Sequence, residues 1–401
     1  MLERALRGSL SYWIWIMFLL AVSASGFFCY LTQLDQGLGI TGMSRDVSWG
    51  LYIAQFTFLV GIAASAVMVI LPYYLHDYKA FGRITILGEF LAVSAVIMCI
   101  AFIFIDLGRP ERVLNVILYP APSSILFWDM IVLSGYLLIN IVTGWTVLTC
   151  NVKGIAPPAW VRPLIILSIP WAVSIHTVTA FIYAGLPGRS FWLTAIMAPR
   201  FLASAFASGP ALLIIFCLIL KRYGHFNAGE KAIQSLAKIV AYALATSIFF
   251  VAVELFTAFY STIPEHNQSF RYLFAGLDGH TNLVAWMWTS TLLAFTALGI
   301  LTFPRIRRKE GWLAFACAFV FVSLWIEKGL GLVVTGFIPS PLEKINEYAP
   351  TALEIGITLG VWAGGLLILT ILYRIFVAVR SSMNEVAASA VTGEEVGRGD
   401  L

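Results

Sequence analysis

Ten long apolar segments follow one another along this 401-residue chain, with short polar connections between them. About 20 apolar residues suffice for an α-helix to cross the hydrocarbon core of a bilayer, so each segment is long enough to be a transmembrane helix. The sequence therefore predicts an all-α polytopic membrane protein with ten transmembrane helices. They cover roughly residues 12–32, 49–74, 84–105, 124–149, 161–186, 197–220, 236–261, 281–303, 311–333 and 351–376.

The composition excludes a soluble protein of this size, because so much apolar surface could not be hidden. Hydrophobic residues make up 60% of the chain, charged residues only 11%, and the mean hydropathy is +0.88. Arg4 and Arg7 precede the first apolar segment, which lacks a small-residue cleavage site and is therefore predicted to be a helix rather than a removed signal peptide. The five cysteines are scattered singly, so no iron–sulfur, zinc, haem c or other metal site is expected.

The topology follows from the number of helices and the positions of the positive charges. An even number of helices places both termini on one side, and most of the 25 lysines and arginines lie on that side. The positive-inside rule makes it the cytoplasmic side. Residues 1–376 are predicted to form one domain in the cytoplasmic membrane, followed by a disordered cytoplasmic tail at residues 377–401. The loops predicted to face outward are 33–48, 106–123, 187–196, 262–280 and 334–350.

Parts of helices 2–5 recur in helices 6–9. The stretches from Trp49 to Ala66 and from Trp192 to Gly209 place a tryptophan, a Phe-Leu pair and a small-residue triplet at the same spacing, offset by 143 residues. Both copies run in the same direction, which predicts two parallel-repeated four-helix bundles, flanked by helices 1 and 10. Bundle one comprises helices 2–5, about residues 49–186, and bundle two comprises helices 6–9, about residues 192–333. Chance recurrence is the alternative, since tryptophan and small residues are common in membrane helices.

His176 is the only one of the five histidines that lies deep within an apolar segment. An ionisable side chain there is costly and marks a candidate functional site. At about 1.5 Å per residue, His176 lies roughly 22 Å from the inner end of helix 5, and Asp129 in helix 4 lies roughly 8 Å below the outer surface. The two groups share one depth in adjacent helices, where they can exchange protons near neutral pH. The neighbouring Trp128 either stacks on a flat ligand or anchors helix 4 at the interface.

The other buried charges each have two interpretations. In the second bundle, Arg200, Glu254 and Glu327 fall in the outer third of their helices, where they either form ion pairs that lock the helices together or line a functional site. Glu89 lies near the cytoplasmic end of helix 3. It either leads protons inward or extends its carboxylate to the interface.

A quinone fits these groups, because it is flat, soluble in lipid and takes up two protons with two electrons. The remaining histidines lie in or beside loops, so the chain lacks paired histidines for a haem and must exchange electrons with a partner on the outer face. Two other functions stay open. Internal repeats and buried charges also suit a secondary transporter, and a passive membrane anchor for redox subunits would have only structural charges.

Several stretches together resemble the NrfD/PsrC family of quinone-interacting membrane subunits, over about residues 45–365. They are Ser48-Trp49-Gly50-Leu51-Tyr52, Asp106-Leu107-Gly108-Arg109-Pro110, Ser174-Ile175-His176-Thr177-Val178-Thr179, residues 192–210, Ile326-Glu327-Lys328 and Pro339-Ser340-Pro341. Two further stretches are most similar to the DsrP branch, the membrane subunit of the sulfite-reduction-associated DsrMKJOP electron-transfer complex. They are Phe127-Trp128-Asp129-Met130 and Ala198-Pro199-Arg200-Phe201-Leu202.

This resemblance implies a subunit that exchanges electrons between non-covalently bound menaquinone or menaquinol and outer partners, in sulfite or sulfur metabolism. It implies no haem or iron–sulfur cluster in this chain. The implied partners are an outer-face ferredoxin-like iron–sulfur subunit, a multihaem cytochrome c, a haem b membrane subunit and a cytoplasmic iron–sulfur subunit, with lipid around the chain and no nucleic acid.

The resemblance also assigns roles to residues. Helix 2 lacks the histidine that some short members carry at its outer end, so the quinone contact falls to helices 4 and 5. His176 and Asp129 are expected to bind the head group and exchange protons, and Glu89 matches the position of an acidic proton-path residue. The remaining expected quinone contacts are Trp128, Tyr183, Trp49 and Tyr52.

Overall fold

The computed structural model of the chain describes residues 8–224 and 226–392. Within this part of the chain, ten helices are long and apolar enough to cross a membrane. Arg4, Arg7 and His225 lie outside the described residues. The prediction of an all-α membrane protein with ten transmembrane helices is confirmed. The helices are α1 Leu10–Gln36, α2 Leu51–Leu75, α3 Thr85–Asp106, α4 Ile125–Lys153, α5 Val161–Ala184, α6 Met197–Tyr223, α7 Glu230–Ser261, α8 Val284–Thr302, α9 Glu310–Thr335 and α10 Ala352–Thr392.

Short connections make successive helices run in opposite directions, so that α1 begins and α10 ends at the same end of the molecule, called here the proximal end. The loops at the opposite, distal end contact one another. Glu354 accepts from the backbone N–H of Gly42 at 2.7 Å, and Glu347 accepts from the Tyr272 hydroxyl at 3.1 Å and from the N–H of Asn282 at 2.9 Å. Which side of a membrane each end faces stays a prediction.

The helices pack in two rings of four. In the first ring, α2 packs on α3, α3 on α4, α4 on α5, and α5 returns to α2; in the second, α6, α7, α8 and α9 pack in the same cyclic order. The rings meet where α6 lies against α2 and α5 and where α9 lies against α2. These contacts group the helices as the two expected bundles, whereas the sequence repeat itself stays a prediction.

Small residues let α2 and α6 approach closely at the centre of this interface. A Cβ atom added at Gly209 of α6 would lie 2.8 Å from the backbone nitrogen of Ser65 and 3.1 Å from the carbonyl oxygen of Ile62. One added at Gly61 of α2 would lie 3.2 Å from the hydroxyl of Ser208. The small-residue triplets of the two stretches thus pack near each other, as small residues do where membrane helices cross closely.

The helices α1 and α10 form a pair beside the first bundle. Their backbones cross at Gly26 and Gly360, where a Cβ atom added to Gly360 would lie 2.7 Å from the Cα atom of Gly26. The pair is attached through α10, which packs on α3. The hydroxyl of Tyr373 donates to the carbonyl of Leu87 at 3.0 Å, and that of Ser94 donates to the carbonyl of Gly365 at 2.6 Å.

Three irregularities depart from the predicted helices. A turn at residues 64–66 interrupts α2, and the segment Trp325–Gly331 of α9 is a π-helix. In addition, α10 continues to Thr392, past the predicted start of a disordered tail at residue 377. Residues 377–392 include alanine, glutamate, arginine and methionine, which favour a helix beyond the apolar segment. The rest of the predicted tail, residues 393–401, lies outside the described residues.

Candidate functional site

Asp129 and His176 lie in the interior of the first bundle, on the neighbouring helices α4 and α5, and their side chains are 3% and 0% exposed. The Oδ1 atom of Asp129 accepts from the hydroxyl of Thr179 at 2.8 Å. Neither imidazole nitrogen of His176 has a hydrogen-bond partner among the described residues. The two groups expected to partner each other are therefore not hydrogen-bonded. Thr179, about one turn along α5 from His176, binds the carboxylate instead.

An aromatic cluster lies on the distal side of these groups, about 10 Å along α5 from His176. Its members are Trp49, Tyr183, Trp192, Phe201 and Phe337. The ring centroid of Trp49 lies 5.7 Å from that of Tyr183 and 5.8 Å from those of Trp192 and Phe337. The ring of Tyr183 also lies 5.1 Å from Trp192 and 5.8 Å from Phe201. Trp49 and Tyr183, both expected near the quinone, thus contact each other, and the second bundle contributes the other members.

A hydroxyl pair connects this cluster to α2. The hydroxyls of Tyr183 and Thr57 are hydrogen-bonded to each other, and both residues are fully buried. The sequence does not mark Thr57 as a candidate, because threonine is common in membrane helices. The direction of its side chain also cannot be predicted on a helix that is apolar all round.

Two other expected quinone contacts lie elsewhere. The hydroxyl of Tyr52 donates to Gln33 of α1 at 2.6 Å, and Gln33 in turn donates to the carbonyl of Ile105 at 2.9 Å. Tyr52 therefore joins α2 to α1 and α3. The ring of Trp128 is 47% exposed, and its indole N–H donates to the carbonyl of Pro122 at 2.8 Å. Trp128 therefore does not contact the aromatic cluster at Trp49 and Tyr183, and both interpretations of its role stay predictions.

Glu89 lies inside the first bundle near its proximal end and is 3% exposed. The hydroxyl of Thr143 in α4 lies 3.4 Å from its carboxylate and donates at 2.7 Å to the carbonyl of Ile139, one turn earlier on α4. Two more buried polar residues of α4, Tyr136 and Asn140, lie between Thr143 and Asp129 along the chain. The Oδ1 atom of Asn140 has no hydrogen-bond partner among the described residues.

These α4 residues form a polar stripe along one face of the helix. They follow Asp129 by 7, 11 and 14 residues, which is the spacing of one helix face. The stripe extends about 21 Å, from Asp129 to Thr143 beside Glu89. The spacing was readable from the sequence, but tyrosine, asparagine and threonine are not ionisable within lipid and were not included among the candidates.

In the second bundle, Arg200 joins three helices. Its two terminal nitrogens donate to Glu254 of α7 and to Glu327 of α9. All three side chains are 8–10% exposed. The ion pairs Arg200–Glu254 and Arg200–Glu327 join the helices, as the structural interpretation of these charges expects. Pairing with the guanidinium lowers the cost of burying the two carboxylates within an apolar bundle.

Lys328 extends from the π-helical segment of α9 toward the first bundle. Its ammonium nitrogen lies 4.3 Å from the ring centroid of Phe201 and 3.4 Å from the carbonyl oxygen of the same residue. A Cβ atom added at Gly61 of α2 would lie 3.3 Å from it. A buried cation therefore lies between the two bundles, stabilised by an aromatic ring and a carbonyl.

Comparison with known proteins adds a family match and three relatives. Residues 39–338 match the family model described as polysulphide reductase, NrfD. A protein of Halobacterium salinarum, provisionally named as a membrane subunit of dimethyl sulfoxide reductase, is 27% identical, covering 89% of this chain and 88% of its own. The Hdr-like menaquinol oxidoreductase integral membrane subunit of Archaeoglobus fulgidus is 25% identical over 92% of both chains. A subunit of the selenate reductase of Mesobacillus selenatarsenatis is 22% identical over 61% of this chain and 65% of its own.

Proposed function

This chain belongs to the polysulphide reductase NrfD family, and from that premise we propose that it is the integral membrane subunit of a quinone oxidoreductase complex. Its substrate is menaquinone or menaquinol, and its redox partner is an iron–sulfur subunit that docks on the distal end, facing outward. The Archaeoglobus relative, a menaquinol oxidoreductase subunit by name, supports the choice of substrate.

The imidazole of His176 is the observation that carries this proposal. It is completely buried, and both its nitrogens lack partners among the described residues. A neutral imidazole has one N–H donor and one acceptor, and a buried polar group left unpaired costs about 1–3 kcal/mol. A quinone carbonyl accepts from the donor nitrogen, and a quinol hydroxyl donates to the other. One side chain can therefore bind both oxidation states of the substrate.

Asp129 supplies the second proton-exchanging group of the proposed site. A quinone takes up two protons when it is reduced, and a carboxyl group and an imidazole in the same part of the bundle match that number. Thr179 holds the carboxyl group in position through its 2.8 Å hydrogen bond. The aromatic rings of Trp49 and Tyr183 border the site on its distal side and keep water out of it.

Glu89 and the polar stripe of α4 support a proton route between the proximal end and Asp129. Glu89 is buried beside Thr143, and the stripe continues through Asn140 and Tyr136. Water molecules bound to the unpaired oxygen of Asn140 would complete the connection between side chains that do not touch. Under this proposal, protons reach the quinone from the cytoplasm.

The complete complex is proposed to contain the other subunits that the DsrP resemblance implies. These are a multihaem cytochrome c, a haem b membrane subunit and a cytoplasmic iron–sulfur subunit, with a role in sulfite or sulfur metabolism. The names of all three relatives place them in reductases or oxidoreductases, which supports a multisubunit redox complex.

The alternative of a passive membrane anchor is favoured by one observation in the second bundle. Arg200 is ion-paired there with both Glu254 and Glu327, as charges with a purely structural role would be, although the Oε1 atom of Glu254 has no partner among the described residues. The unpaired nitrogens of His176 distinguish the first bundle from this arrangement.

The test is the rate of quinol-dependent reduction of the partner by the assembled complex carrying His176→Ala or Asp129→Asn. Both variants are expected to lose most of this rate while the complex still assembles. His76→Ala and Asp77→Asn, exposed at the proximal turn between α2 and α3 and away from the proposed docking surface, are the matched controls and should keep it. Full activity in both site variants would overturn the site, and a wild-type complex that neither oxidises quinol nor binds a quinone analogue would overturn the function.

A further inference from the structure

A cavity of about 760 Å³ lies between α2, α8, α9 and α10, near the distal end. Residues 348–350 of the distal loop cover it, and its walls are almost entirely apolar. Three residues of its wall, Trp286, Ile355 and Leu359, are 48%, 45% and 56% exposed. Since these exposed apolar side chains lie within membrane-spanning helices, the cavity is accessible from the side where acyl chains lie. Its volume is in the range of about 300–1,000 Å³ that is typical of small-molecule sites.

The one buried amide in the wall belongs to Gln55, which is 0% exposed. Its Oε1 atom accepts from the indole N–H groups of Trp325 and Trp362, each at 2.9 Å. An indole N–H can only donate, so these two bonds fix which end of the amide is oxygen. The Nε2 atom is therefore the free donor, and it has no acceptor among the described residues.

The other polar groups of the wall favour an uncharged ligand that accepts hydrogen bonds. Thr358, one turn from Trp362 on α10, has a buried hydroxyl without a partner among the described residues. The hydroxyl of Tyr348 is already used, since it donates to Glu354 at 2.6 Å and accepts from the N–H of Leu51 at 2.8 Å. Among the described residues that line the cavity, none is an aspartate, glutamate, histidine, lysine or arginine. A charged ligand would therefore have no counter-ion there.

We propose that this cavity is a second quinone site, in which the amide nitrogen of Gln55 donates to a ring carbonyl. The flat ring lies among the indoles of Trp286, Trp325 and Trp362, which provide broad apolar faces. The hydroxyl of Thr358 is placed to donate to the same ring. The isoprenoid tail leaves past Ile355 and Leu359 into the bilayer. This inference rests on the proposed function, because that function supplies the quinone.

The second site is separate from the one at His176. Gln55 and Thr57 are two residues apart on α2, which turns them about 200° from each other around the helix axis. Thr57 faces Tyr183 and the first bundle, whereas Gln55 faces α9 and α10. Among the described residues, the second site also lacks groups that exchange protons, so the quinone molecule bound there is not protonated in place. Reduction with proton uptake is confined to the molecule bound at His176 and Asp129.

The experiment measures binding of menadione, a naphthoquinone without a tail, to the full complex in nanodiscs, by equilibrium dialysis. Two equivalents are expected for the wild type. Gln55→Leu and Thr358→Val each remove one hydrogen bond to the ligand and should weaken one equivalent by roughly threefold to tenfold, leaving the other unchanged. Gln55→Leu also removes the bonds from Trp325 and Trp362. Thr358→Val preserves the shape of the side chain and the Gln55–tryptophan bonds, so its effect does not depend on refolding. Gln36→Leu at the exposed end of α1 is the matched control.

A naphthoquinone carrying a photoreactive azide identifies the location. Labelled peptides from α9 and α10 in the wild type, and their loss in Gln55→Leu, would support the second site. If the wild type binds only one equivalent of menadione, and only His176→Ala weakens that binding, the second site is overturned and the proposed function stays intact. Labelling of the cavity by an azide-bearing acyl lipid but not by the naphthoquinone would show a lipid-tail site and overturn it as well. No binding by the wild-type complex would count against the proposed function itself.

Discussion

Replacing Arg200 with methionine should destabilise the second bundle strongly. Methionine fills a similar elongated space but removes both charged hydrogen bonds, to Glu254 and to Glu327. A hydrogen bond to a charged group contributes about 1.5–3 kcal/mol, so two give roughly 3–6 kcal/mol. This agrees with the loss of about 3–5 kcal/mol expected when one partner of a buried ion pair is removed. The two glutamate side chains, 8% and 10% exposed, would remain buried without the guanidinium that both of them bind.

The free energy of unfolding of the purified chain can be measured by titration with sodium dodecyl sulfate, followed by tryptophan fluorescence. The control is Arg271→Met in the short distal helix Pro264–Phe274, where the arginine is exposed. The triple variant in which Glu254 and Glu327 also become glutamine should recover most of the loss, since it removes the two carboxylates that lost the guanidinium. An Arg200→Met variant that loses less than about 1 kcal/mol, or a triple variant no more stable than the single one, would refute this reasoning.

Further predictions concern the first bundle and the α1–α10 pair. Thr179→Val removes the hydroxyl that holds Asp129 and should lower the quinol-dependent rate of the complex about threefold to tenfold with little change in stability; an unchanged rate would contradict the positioning role. Glu89→Gln should slow proton uptake from the proximal side of oriented vesicles without weakening binding of a quinone analogue, whereas equal uptake would exclude Glu89 from the route. Gly360→Ala brings a Cβ atom to 2.7 Å from the α1 backbone and should cost about 1–3 kcal/mol in thermal unfolding, while Gly364→Ala, 3.8 Å from its nearest neighbour, should cost far less.

The number of helices and their grouping follow from features that the sequence displays directly. Each helix is a continuous apolar segment, and its length is set by the bilayer rather than by its neighbours. The depth of a residue along its helix follows by counting, which is why Asp129 and His176 were expected in the same part of the first bundle. Ring contacts such as that of Trp49 with Tyr183 could be expected on the same basis.

The direction in which a side chain leaves its helix was much harder to predict. All residues of α2 from Leu51 to Ala63 are buried, so no polar face shows which neighbour each side chain meets. Tyr52, expected at the quinone, faces α1, and Gln55 faces α10. The helices α1 and α10 lie outside the repeated bundles, and no pattern in the sequence fixed where they would pack; Gln55 also contacts α9 through Trp325.

Local partners and backbone irregularities also escaped prediction. The carboxylate of Asp129 binds Thr179 rather than His176. The two residues lie about one turn apart on α5, and the sequence does not show which of them faces Asp129. The π-helical segment Trp325–Gly331 directs Lys328 toward Phe201. A π-turn arises from packing around a few residues, and hydropathy carries no sign of it.

The central position of α2 makes it a shared wall between His176 and the cavity at Gln55. The hydroxyl of Thr57 on one face and the amide of Gln55 on the other are two residues apart on a helix that is buried all round. A ligand that shifts or rotates α2 to improve its own contacts changes the other face by the same rigid movement. Thermodynamic linkage then requires reciprocity. If a ligand at His176 changes the affinity of the Gln55 cavity by some factor, a ligand in the cavity changes the affinity at His176 by the same factor. Two quinone molecules bound on opposite faces of α2 would thus be coupled homotropically over the diameter of a single helix.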